Sequence, residues 1–155
     1  MFGGGIGTYL YTALGGLDMV SNATTTGWQH INAGPAAAAA ERLPMGRAQV
    51  ATRFGTAAVS WTSAAGSSSS LTHHVARDVS FALNATLPAG TTGTLKAVLL
   101  AGASKVLSNG TAVWKNGAFV PHAAPGLQSA RMAVEEGIAT VLFEALSGVY
   151  HLEAR

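Results

Sequence analysis

Val79-Ser80-Phe81-Ala82-Leu83-Asn84-Ala85-Thr86-Leu87-Pro88-Ala89-Gly90-Thr91-Thr92-Gly93-Thr94-Leu95-Lys96-Ala97-Val98-Leu99 carries the strongest secondary-structure signal in the chain. Val79, Phe81, Leu83, Ala85 and Leu87 alternate with polar or small residues. That two-residue period turns one side of a strand to a core and the other to solvent. Pro88-Ala89-Gly90 breaks the run, and Leu95, Ala97 and Leu99 resume the period. The stretch reads as two strands.

The same texture continues downstream. Asn109-Gly110 and Asn116-Gly117 are hairpin signals, because each pair tolerates the positive φ of a type I′ turn. Ala130, Met132 and Val134 alternate ahead of Glu135-Glu136-Gly137. Residues 138–145 and 149–153 read as a last hairpin turned at Ser147-Gly148. Ala64-Ala65-Gly66 and the serines 67–70 read as a low-complexity hairpin tip. Short strands at this spacing, with few helix signals, make the chain mainly β. The expected fold is an antiparallel sandwich of jelly-roll type over residues 47–155.

Upstream the signals mix. Residues 1–20 are Gly-rich and apolar, and on a helical period Phe2, Ile6, Tyr9, Leu10, Ala13, Leu14 and Leu17 share a face about 140° wide. Each of the glycines at 3, 4, 5 and 7 costs a helix about 1 kcal/mol. Alternation through Ile6, Thr8, Leu10, Thr12 and Leu14 also permits an extended segment. Helix over 5–14, ended by Gly15-Gly16, is the favoured reading. Residues 21–46 form a connector, with Pro35 opening and Pro44 closing a short alanine helix.

Composition excludes several classes. The chain has 155 residues, 48% hydrophobic and only 10% charged, which suits one core and argues against disorder. Its net charge of +2 comes from scattered cations, so there is no basic stripe for a nucleic acid. Cysteine is absent, which removes disulfides, thiolate metal sites and cysteine nucleophiles. The apolar N-terminus lacks a basic leader and is interrupted by Thr8, Thr12 and Asp18. It reads as neither signal peptide nor membrane span. The compartment stays open, with an extracellular or cell-surface location favoured.

Chemistry-bearing residues are sparse. The acids are Asp18, Glu41, Asp78, Glu135, Glu136, Glu144 and Glu153. Glycoside hydrolysis needs two convergent carboxylates. Glu135 and Glu136 diverge on a strand, whereas Glu144 and Glu153, on the last hairpin, have the chance to face each other or neighbouring cations. Solvated surface charge is the preferred reading, and no catalytic residue is assigned. His73-His74, with Asp78 nearby, falls short of the three or four ligands a metal needs. No elbow motif frames the serines 67–70 as a nucleophile. No metal or cofactor is expected.

Aromatic rings matter because a flat ring stacks on a sugar face. Trp61 ends an apolar strand and reads as core. Trp114, between two Asn-Gly turns, and Trp28, in the polar connector, are the candidate carbohydrate contacts. Trp28 has a second reading, packing the first segment onto the sandwich. Asn22, Asn84 and Asn109 open Asn-x-Thr sequons that matter only in a eukaryotic secretory pathway, with Asn109 the most accessible and Asn84 the least.

Four stretches together resemble the C-terminal region of family 78 bacterial α-L-rhamnosidases. Met1-Phe2-Gly3, Tyr9-Leu10-Tyr11 and Leu14-Gly15-Gly16-Leu17 are similar to the last helix of that family's barrel. Gly27-Trp28-Gln29-His30-Ile31 through Pro35 is similar to its next linker. Phe54-Gly55-Thr56-Ala57-Ala58-Val59-Ser60-Trp61 is similar to a hairpin leading into a Trp-ended strand. Leu87-Pro88-Ala89-Gly90-Thr91-Thr92-Gly93-Thr94-Leu95, with Val141-Leu142-Phe143-Glu144 and Ser147-Gly148-Val149-Tyr150, resembles its closing strands. The chain departs from the family in carrying Gly-Thr where the first motif usually has charged and aromatic residues.

The resemblance implies a β-sandwich without the catalytic barrel, whose carboxylates would lie upstream. It also implies that Phe2, Ile6, Tyr9, Leu10, Leu14 and Leu17 have lost a barrel's cover. Exposing such side chains costs about 1.5 to 3 kcal/mol each. The segment then folds back on its own sandwich or enters a partner, either a barrel domain or a second copy. Head-to-tail insertion would propagate a fibril. The expected function is a non-catalytic structural or assembly module, with a carbohydrate-binding accessory domain or an enzyme fragment as alternatives.

Overall fold

A computed structural model describes residues 10–20, 27–64, 79–100 and 102–155. A π-helical turn, Leu10–Gly15, leads into β1 (Leu17–Val20). After a 3₁₀ turn at Gly27–Gln29 come β2 (His30–Ala33), α1 (Ala37–Arg42), β3 (Met45–Thr52) and β4 (Gly55–Ser63). The rest is strand: β5 (Phe81–Val98), β6 (Lys105–Ser108), β7 (Thr111–Lys115), β8 (Ala118–Phe119), β9 (Leu127–Glu135) and β10 (Ile138–Ala154).

Two long strands organise everything else. β5 and β10 pair antiparallel on both sides of a corner, from Thr140↔Val98 to Leu146↔Thr92 and again from Gly148↔Leu87 to Ala154↔Phe81. Each half of the pair belongs to a different layer. The early half of β5 and late half of β10 are flanked by β4–β3 and by β6–β7–β8. The late half of β5 and early half of β10 are flanked by β2–β1 and by β9. Strands that bend from one layer to the other are a known way to close a sandwich corner. Pairing is antiparallel except between β2 and β5, which run parallel.

Both punctuation marks in the sequence are therefore corners. Pro88-Ala89-Gly90 does not end β5: Gly90 adopts φ +77°, Thr91 Oγ1 donates to the Pro88 carbonyl at 2.7 Å, and the strand continues. Ser147-Gly148 does not turn a hairpin, because Val149 keeps the direction of Leu146 and pairs with Thr86. Gly and Pro signals mark a bulge as readily as a reversal, and only the partner strand distinguishes them. The β10 corner is pinned by its own side chain. Tyr150 Oη donates to the Leu146 carbonyl at 2.7 Å, and the Leu146 amide donates to the Gly126 carbonyl at 2.9 Å. Gly126, at φ +83°, sits so close that an added Cβ would lie 2.2 Å from that hydroxyl.

The alternating residues of the long strands enter one continuous core. Phe81, Leu83, Ala85 and Leu87 are buried, as are Leu95, Ala97, Val141, Phe143 and Leu152. Trp61 and Phe81 stack at 6.2 Å within one layer, and Phe119 meets Phe143 edge-on at 6.5 Å between layers. Both Asn-Gly pairs form turns with positive φ at Asn109, Gly110, Asn116 and Gly117. On β9, Ala130, Met132 and Val134 register opposite Phe143, Val141 and Ala139, hence on the core side. Met132 and Val134 are nonetheless 57% and 68% exposed, on a strand whose partner among the described strands is β10 alone.

Residues 10–20 fold back onto this sandwich. The π-helical turn closes the open side beside β3: Trp61 Nε1 donates to the Leu14 carbonyl at 3.0 Å, and the Ala36 amide donates to the Ala13 carbonyl at 3.0 Å. Gly16 (φ +81°) lies against Gly34, where a Cβ would come within 2.7 Å of backbone. The chain then becomes β1, so Leu17 reaches the core as a strand residue, 1% exposed. Its expected place on a helical face is corrected. The alanine helix forms at Ala37–Arg42, and Pro44 follows its end.

Candidate functional site

Burial redistributes the candidate residues. Trp114 is only 4% exposed, which corrects the expectation of an accessible ring. A register shift between Val106 and Leu107 lets both Val113 and Trp114 turn inward, and the Asn116-Gly117 turn folds β8 over the ring so that Trp114 pairs with Phe119. Trp28 is half-buried against the core. With Tyr11, Leu17, Met19 and Val50 it lines a small apolar cleft of about 320 Å³. Leu10 is exposed and Leu14 half-buried, while Phe2, Ile6 and Tyr9 lie outside the described residues. Asn84 and Asn109 are exposed, Asn84 on the outer face of β5, and Asn22 lies outside the description. So do His73, His74, Asp78 and the serines 67–70.

The described acids are spread over both layers. Asp18 on β1 accepts the Met19 amide at 2.8 Å, and Glu41 is exposed on α1. Glu135 accepts Lys96 Nζ at 2.7 Å, while Glu136 occupies a turn at φ +52°. Glu144 accepts the Thr94 hydroxyl at 3.1 Å on the outer face of one layer. Glu153 lies on the outer face of the other, where it accepts Arg155 at 2.7 Å and His151 at 3.1 Å. Burial pushes the Glu153 carboxyl up, but these hydrogen bonds and the charges behind them outweigh it and hold the group below the usual carboxylate range. Of the two arrangements expected, Glu144 facing Glu153 is ruled out by the corner in β10, which sends them to separate layers, whereas Glu153 does meet a cation, Arg155.

No local sequence signal distinguishes His30. Its ring spans the parallel β2–β5 pair, with Nδ1 2.9 Å from Thr92 Oγ1 and Nε2 2.9 Å from Thr94 Oγ1. Thr94 donates onward to Glu144, so it accepts from His30 Nε2. Nearby, Asp18, Asn32, Lys96, Arg131 and Glu135 line a cleft of about 410 Å³ on that layer's outer face. Among the described residues no three His, Asp or Glu side chains converge as metal ligands, and no helix is long and apolar enough to cross a membrane.

The larger groove, about 550 Å³, crosses the outer face of the other layer. Two ladder rungs build it. Arg47, Ser60, Asn84 and His151 lie side by side across β3, β4, β5 and β10, and Gln49, Ala58, Thr86 and Val149 form the next rung. Short Ala58 and Ser60 make the floor between longer side chains, and three strand spacings give a span of about 14 Å. His151 Nδ1 meets the side-chain amide of Asn84 at 2.7 Å. Tyr11 stands at the rim, held by a hydrogen bond from its hydroxyl to the Gln49 carbonyl.

No family model and no curated protein matches the sequence. Solved structures do. Over 97% of its length the chain superposes on α-L-rhamnosidase from Dictyoglumus thermophilum, at TM-score 0.61 and 14% identity, covering 13% of that enzyme. Streptomyces avermitilis α-L-rhamnosidase, solved with L-rhamnose, matches over 97% of the chain at TM-score 0.57 and 16% identity, with 11% of the enzyme covered. The chain thus spans about an eighth of the enzymes it matches. Its fold is that of a short segment of the α-L-rhamnosidases, as the sequence resemblance implies.

Proposed function

We propose that the chain is a non-catalytic β-sandwich module of an α-L-rhamnosidase-type glycoside hydrolase, whose partner is a catalytic barrel domain. One observation carries this reading: nearly the whole chain superposes on a small fraction of each enzyme, so the rest of such an enzyme is free to hold the chemistry. The dispersal of Glu144 and Glu153 to opposite layers agrees with it. The test is a chimera in which this chain replaces the matched segment of the Dictyoglumus enzyme. The chimera is expected to cleave an aryl α-L-rhamnoside, the enzyme lacking the segment to be inactive or insoluble, and the chain alone to be inert. Turnover by the chain alone would overturn the proposal.

Self-association into oligomers or fibrils through the N-terminal segment is a second reading, favoured by exposed Leu10, Tyr11 and Met19. Leu17, buried in its own subunit, takes no part in it. Light scattering with negative-stain microscopy separates the two: particles larger than a monomer that dissociate in Leu10→Ser/Met19→Ser support it, and a monomer at all concentrations removes it.

A further inference from the structure

The 550 Å³ groove has a charge distribution that selects a ligand. Among the described residues lining it Arg47 is the single charged one, and no described carboxylate lies within ion-pair distance of its guanidinium. The neighbouring charges are settled among themselves, since Glu153 is bonded to both Arg155 and His151. The remainder of the lining is uncharged: Ser60, Asn84 and Thr86 offer hydrogen-bonding groups beside apolar Ala58 and Val149. Tyr11 presents a ring at one rim, 45% exposed and fixed through its hydroxyl. A lone cation at one end of an otherwise uncharged trough about 14 Å long does not suit a polyphosphate, which needs several cations. It suits a chain of hydroxylated rings carrying a carboxylate.

We infer that this groove is a binding site for an acidic saccharide, with a uronate carboxylate on Arg47, hydroxyls on Ser60 and Asn84, and a sugar face on Tyr11. The guanidinium forms a forked, charge-assisted pair with the carboxylate. The aromatic rim supplies the apolar contact that sugar faces accept. This goes beyond the role as an enzyme module, and its outcome does not depend on the chimera.

The experiment is calorimetric titration of the full chain with trigalacturonate and with its methyl ester, which removes the charges and adds a methyl group to each carboxyl. The acid is expected to bind, and the ester to bind about tenfold or more weakly, the usual scale for losing a charged hydrogen bond. Arg47→Gln, at an exposed position, is expected to bring the acid down to the affinity of the ester. Arg47→Lys is expected to recover part of the difference, and added salt to weaken only the acid. Absence of binding by the unmodified chain overturns the inference. So do equal affinities for acid and ester, or an Arg47→Gln protein that binds the acid unchanged.

Discussion

Replacing Trp61 with phenylalanine tests whether residues 10–20 belong to the sandwich or merely lie on it. The indole N–H donates to the Leu14 carbonyl at 3.0 Å, and the ring is 1% exposed and stacked on Phe81. Phenylalanine keeps most of the stacking but leaves that carbonyl without its donor, at a cost of about 1–3 kcal/mol. The smaller ring also vacates roughly 40 Å³, which adds about 1 kcal/mol. Together the loss is about 2–4 kcal/mol, a large fraction of a domain's stability. Gly46→Ala attacks the same junction from the other side, because its Cβ would sit 2.5 Å from the indole nitrogen and 2.6 Å from the Leu14 carbonyl oxygen. If both act by detaching the π-helical turn, the double variant loses less than the sum of the singles, with a coupling of about 1 kcal/mol or more. Urea unfolding followed by far-ultraviolet circular dichroism measures all four proteins, and proteolysis within residues 10–20 should accelerate in each variant. Additivity within about 0.5 kcal/mol, or no loss in the single variants, would refute the reasoning.

The β10 corner and the Glu153 cluster give two further tests. Tyr150→Phe should lose about 1 kcal/mol or somewhat more, and Gly126→Ala, which combines a positive φ with a 2.2 Å approach to the Tyr150 hydroxyl, should lose more. Burial holds the Tyr150 phenol above its ordinary pKa near 10, so its contribution is intact below that pH and lost as pH rises through the folded value. Alkaline unfolding should therefore be shallower in Tyr150→Phe, and an unchanged profile would count against the pinned corner. Glu153 has the opposite sign. Its folded pKa is depressed, so its contribution is present above the ordinary carboxylate pKa and lost as pH falls through the folded value. Glu153→Gln should flatten the acid limb of the stability curve, and a limb as steep as that of the parent protein would show that the cluster is only solvated charge.

The mainly β character was legible because alternation in Phe81, Leu83, Ala85 and Leu87 is a local record of a face turned inward, and Asn109-Gly110 and Asn116-Gly117 record positive φ directly. The short alanine helix and the core place of Trp61 were legible for similarly local reasons. The burial of Trp114 was not legible, because polar Lys115 and Asn116 follow it and nothing local foretells the register shift that turns it inward. The groove was invisible for a stronger reason. Arg47, Ser60, Asn84 and His151 come from four strands spread over more than a hundred residues, and they meet only through ladder register.

Backbone chemistry written into short stretches of this chain specified strands, tight turns and which side chains leave water, because those depend on φ preferences and on hydrophobic period. Whether Pro88-Ala89-Gly90 and Ser147-Gly148 reverse the chain or bend it between layers depended on the partner strand, since the same torsions serve a turn and a bulge. The fate of the N-terminal segment was settled in the same way. Leu17 has an apolar side chain in either reading, and the free energy of burying it is similar on a helix or a strand. The hydrogen bonds from Gly34 to Gly16 and from Trp61 to Leu14, made by residues distant in sequence, chose the strand.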